Sequence, residues 1–146
     1  MAEILRTADA VWQGDLRSGK GLISAASGVL KDAAYTHAAR YENAPGTNPE
    51  ELIAAAHAAC FTMALNSTLG KKGYQPQTLR THATLTMERG EGGTNITKIR
   101  LEVEGEVPNI DQATFAQIAD EAERGCPVSR LLRPGLKEVE VAATLK

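Results

Sequence analysis

Between Pro49 and about Leu69 the chain carries PEELIAAAHAACFTMALNSTL, a segment that starts as a helix should and is apolar on nearly every side. Asn48 can cap it, Pro49 suits the first helical position, and Glu50 and Glu51 complement the positive end of the dipole. GKKG follows, with Gly for a C-cap and lysines for the negative end. A helix with one apolar stripe lies on a surface, whereas one that is apolar all round must be enclosed. A single sheet covers only one of its faces. The other face needs either a second helix of the same chain or a twin chain.

The remaining segments supply the cover. The first third reads as short strands with Gly-containing turns: AVWQGDL, KGLISAASGVL and AAYTHAARYE, ended by the breaker NAPGTNP. After the long helix, Ala83, Leu85 and Met87 alternate with Thr84, Thr86 and Glu88. Beyond the turn EGGTN, Ile99, Leu101 and Val103 alternate with charged residues. That is an antiparallel hairpin with one wet face. Asp111 can cap a second helix whose apolar stripe is Phe115, Ile118, Ala119 and Ala122. Gly125 ends it, Cys126-Pro127 opens a short third helix, PVSRLL, and Val139 to Leu145 alternates as a last strand. The order predicts a single α+β domain over 1–146.

Composition narrows the function. A length of 146 residues fits one domain with a real core, and a net charge of -2 leaves no basic patch for nucleic acid. The N-terminus has no basic stretch followed by an apolar run, and polar residues interrupt the long helix. We therefore expect neither a signal peptide nor a membrane span, and a cytoplasmic location. Nucleotide-binding glycine patterns are missing, and aromatic residues are too few for a base-stacking surface.

Chemistry must then come from thiols, histidines and arginines. A buried free Cys such as Cys60 is most often a small hydrophobe. Cys126, at a helix start, is the better low-pKa candidate on local physics. Two cysteines far apart in a reducing compartment suggest peroxide reduction or disulfide exchange. His57 and Cys60, spaced i, i+3, share a helix face, and with Cys126 they could form a metal site. No fourth ligand and no CxxC support one. His37 and His82 fall on expected strands and read as hydrogen-bonding or surface residues. Arg40 closes an expected strand before the breaker, where its guanidinium could stabilise a thiolate and Glu50 could hold its fork.

GTNPEELIAAAHAACF, together with GCPVS, WQGD and SGKG, closely resembles the osmotically inducible protein C (OsmC) family, which includes the organic hydroperoxide resistance (Ohr) proteins. The resemblance spans essentially the whole chain, and the spelling is that of the OsmC branch. It implies an intertwined homodimer, antiparallel sheets wrapped around two long helices, and active sites at the dimer interface. It further implies a thiol peroxidase in which Cys60 attacks the peroxide and Cys126 resolves. Arg40 would activate the thiolate and Glu50 would pair with Arg40. In the Ohr branch the arginine comes from an earlier loop, which makes Arg17 the rival. Local physics and resemblance thus disagree over which thiol reacts first.

The implied cycle runs from a Cys60 sulfenic acid to a Cys60–Cys126 disulfide, which an external dithiol, lipoyl or thioredoxin-like, reduces. It favours organic hydroperoxides over hydrogen peroxide and needs no metal or flavin. Two alternatives stay open on the sequence: a redox-silent module for a small apolar ligand, and a metal site on His57, Cys60 and Cys126.

Overall fold

The computed structural model describes residues 1–146, which divide into two compact units, Met1–Leu52 and Ile53–Lys146. In the first unit β1 (Ala8–Gln13), β2 (Lys20–Ala25) and β3 (Ala33–Tyr35) form an antiparallel sheet in chain order. The turn between β1 and β2 is built by WQGD and SGKG. Gly14 has φ +88°, and the Asp15 carboxylate accepts the N–H groups of Arg17 and Ser18 at 3.0 and 2.9 Å. A Cβ on Gly21 would lie 2.2 Å from the Tyr35 ring, so the glycine is what lets that ring lie across β2.

The segment THAARYE departs from the expected strand. After β3 it forms a short helix, α1 (His37–Tyr41), because the Thr36 hydroxyl accepts the Ala39 N–H at 3.0 Å and acts as N-cap. Arg40 and His37 therefore project from a helix and not from strand ends. The second strand is likewise shorter than expected, since Ser27-Gly28 turns the chain after Ala25.

α2 (Pro49–Lys71) runs unbroken for 23 residues, and the Asn48 side chain accepts the Glu51 N–H at 2.8 Å at its start. By length and composition it could cross a membrane, contrary to the sequence expectation. Its His57, Phe61, Leu65 and Leu69 nonetheless form a fully buried i, i+4 row. Opposite that row Ala56, Ala59, Met63 and Gly70 are exposed, Met63 at 74 %.

In the second unit β4 (Thr78–Gly90) and β5 (Gly93–Glu106) make the antiparallel hairpin, closed by Glu91-Gly92 and bulged at Thr86/Met87. α3 (Gln112–Gly125) is capped by Asp111, whose carboxylate accepts the Thr114 N–H at 2.8 Å, and it buries Phe115, Ile118, Ala119 and Ala122. α4 (Pro127–Leu132) and a 3-10 turn lead into β6 (Glu138–Leu145). β6 pairs with β5 in parallel, so this sheet is mixed and not antiparallel throughout. The cause is the connection: α3 and α4 carry the chain back along the sheet, as a parallel partner requires. One core joins the buried row of α2, the inward face of β5 and the stripe of α3.

Candidate active site

Cys60 and Cys126 are both free, and the fold brings them together. Cys60 lies on the flank of α2, partly accessible, and Cys126 is completely buried at the N-cap of α4. The Val128 N–H of α4 and the Cys126 thiol are the polar groups that act on the Cys60 sulfur. The amide at the start of α4 thus serves the opposite cysteine. Local physics looked to that helix end for a stabilised thiolate, and the residue it reaches is Cys60, across from the one expected.

Desolvation raises the Cys60 pKa above the ordinary thiol value, the Val128 amide lowers it, and the Cys126 thiol raises it again. The net direction is up. A positive charge brought close to this sulfur would shift the pKa back down.

A guanidinium held in a fixed orientation is present in the first unit. Arg40 Nε donates to both oxygens of Glu50 at 3.0 and 3.1 Å, and Nη2 donates to Oε1 at 2.6 Å. Glu50 is only 8 % exposed, whereas Arg40 keeps about a third of its side chain accessible. The carboxylate raises the Arg40 pKa further, so this charge is permanent. The guanidinium also lies 5.2 Å from the centre of the Tyr41 ring and borders a cavity of about 150 Å³ lined by Trp12, Leu16, Tyr35 and Tyr41. Arg17, by contrast, is exposed in the β1–β2 turn.

The other candidates are occupied elsewhere. His57 Nε2 is 2.6 Å from Ser129 Oγ, and no group of three His, Cys, Asp or Glu side chains is gathered as a metal would require. His37 Nδ1 faces Glu42 at 3.6 Å, and His82 is on β4 opposite Glu102. Two participants escaped sequence reasoning, the Val128 amide and Ser129. A signal for the second existed: Ser129 follows Cys126 by three residues as His57 precedes Cys60 by three.

Two neighbouring free thiols, one partly open and one sealed, on an α+β scaffold are the feature that sets this site apart. More particularly, the chain belongs to the OsmC-like protein family, whose model matches residues 42–140. It is 47% identical over 130 residues to peroxiredoxin OsmC of Escherichia coli, covering 89% of this chain and 91% of that protein. It is also 31% identical over 101 residues to the organic hydroperoxide resistance protein of Xanthomonas axonopodis pv. citri, 68% of this chain and 67% of that one. The crystal structure of the organic hydroperoxide resistance protein OhrB of Bacillus subtilis superposes with a TM-score of 0.71 at 28% identity, over 96% of this chain and 98% of that one. The chain is an enzyme of the peroxidase class.

Proposed function

We propose that the protein detoxifies hydroperoxides, organic ones first, by a two-cysteine cycle. Cys60 thiolate attacks the terminal peroxide oxygen. The O–O bond breaks, the alcohol leaves with a proton, and Cys60 becomes a sulfenic acid. The Cys126 sulfur then attacks the Cys60 sulfur, a disulfide forms, and water departs with the Cys126 proton. An external dithiol of lipoyl or thioredoxin type exchanges with the disulfide, becomes oxidised itself and restores both thiols. Electrons come from thiols throughout, so the cycle uses no metal or flavin, and a reducing cytoplasm suits it.

The observation that carries this reading is the pairing of two free thiols, a partly open Cys60 beside a buried Cys126. Accessibility supports this order of reaction, since Cys60 is partly open and Cys126 is buried. The names of the relatives, a peroxiredoxin and organic hydroperoxide resistance proteins, support the substrate class. Arg40, oriented by Glu50, is the charge that completes the site, and Arg17 is left without that role. The functional form is a homodimer, whose second chain covers the exposed side of α2.

Thiol counting before and after one equivalent of cumene hydroperoxide tests the cycle. Both thiols should vanish and one equivalent of alcohol should appear. Two persisting thiols would point instead to a redox-silent binding module. In steady state, kcat/KM should favour cumene or tert-butyl hydroperoxide over hydrogen peroxide, by about fourfold per carbon buried. Equal or inverted values would remove the apolar binding site from the account.

A further inference from the structure

His57 and Ser129 form a buried polar pair that the cycle above does not use. His57 is 0 % and Ser129 1 % exposed, and the Nε2–Oγ distance of 2.6 Å makes this a short hydrogen bond between α2 and α4. His57 stands one turn before Cys60 on α2, and Ser129 one turn after Cys126. Ser129 is the one buried residue of α4, beside the partly buried Val128 and Leu132. The other ring nitrogen, Nδ1, has no hydrogen-bond partner, so Ser129 alone fixes the imidazole. Burying two polar side chains costs more than filling the space with apolar ones unless the bond they make has a use.

We infer that the His57–Ser129 hydrogen bond is a positioning clamp, which fixes the start of α4 against α2 so that the Cys126 sulfur is held on Cys60 for disulfide closure. The inference rests on the two-cysteine cycle. The clamp spans the same two helices as the thiol pair, one turn away, and α4 has only six residues. Intramolecular closure is fast to the degree that the two sulfurs are already oriented. Desolvation holds His57 below its usual pKa, with Arg133 in the same direction and Glu123 opposed, so the ring stays neutral and can pair with a hydroxyl. Nucleophilic use of Ser129 itself is ruled out by its burial, since no substrate reaches it.

The test is single-turnover kinetics on the full-length protein with cumene hydroperoxide, following sulfenic acid formation and disulfide closure separately. Ser129→Ala removes one oxygen and leaves the fold intact. It should change the first step by about twofold or less and slow closure about tenfold, the equivalent of one hydrogen bond. The Cys60–Cys126 reduction potential should rise by about 30 mV, since a tenfold lower closure constant destabilises the disulfide by that amount. His57→Leu should do the same, the double variant no more than either single one, and His57→Gln, which can still bond Ser129, should recover most of the closure rate. Unchanged closure and potential in Ser129→Ala and His57→Leu, with wild type still forming the disulfide, would overturn the clamp and leave the cycle standing. Wild type that forms no Cys60–Cys126 disulfide would overturn the cycle, and the clamp with it.

Discussion

Cys60→Ser should bring peroxide turnover down to the uncatalysed background, whereas Cys126→Ser should consume one equivalent of hydroperoxide and then stop. The asymmetry follows from accessibility and hydrogen bonding together. Cys126 is fully buried, while Cys60 is partly open and the Val128 amide favours its charged form. A serine hydroxyl at Cys60 cannot substitute, because it ionises far too weakly at neutral pH to attack an O–O bond and gives no stable sulfenic analogue. In Cys126→Ser the first thiolate remains, so the product should be a chain one oxygen heavier, trappable at Cys60 with a sulfenic acid reagent. Peroxide consumption that survives Cys60→Ser but is lost in Cys126→Ser would reverse the two roles.

The long helix was legible because its caps, its alanines and the absence of Gly or Pro between Glu50 and Leu69 all point the same way. The hairpin and α3 were legible through plain periodicity. Two features were not. The stretch THAARYE contains two β-formers, Thr and Tyr, and its helix exists because a single side-chain cap at Thr36 wins over weak propensity. The parallel pairing of β6 depends on where α3 and α4 deliver the chain, which no alternation pattern records. At the site, the cysteines and the Arg40–Glu50 pair could be picked out by residue type and resemblance. The Val128 amide could not, because a backbone N–H carries no signature in the side-chain sequence.

Arg40→Ala should raise the Cys60 pKa and slow the first oxidation by at least about tenfold, while disulfide closure changes little. The sign is fixed: a guanidinium favours the charged thiolate, so its removal shifts thiolate alkylation to higher pH. Arg17→Ala should be mild, since that residue is exposed in a turn. A shift in the Arg17 variant and none in the Arg40 variant would transfer the role. The same charge also bears on assembly. α2 is unbroken from Pro49 to Lys71, and the ten residues from Glu50 to Cys60 span about 15 Å along its axis. Arg40 is tied by its fork to Glu50, at the beginning of that helix. A glutamate side chain is too short to bring the guanidinium over that distance to the thiol of its own helix. Two α2 helices packed antiparallel about a two-fold axis would instead bring one chain's Arg40–Glu50 pair toward the other chain's Cys60. The exposed side of α2 sets one large apolar residue, Met63, among the small Ala56, Ala59 and Gly70, a face that a second helix could cover. Mixing Arg40→Ala or Glu50→Ala chains with Cys60→Ser chains should therefore restore activity. At equal amounts half the dimers are mixed, each with one intact site of two, so about a quarter of wild-type turnover is expected. If mass spectrometry confirms that chains have exchanged and no turnover returns, each site is complete within one chain and the antiparallel arrangement is wrong.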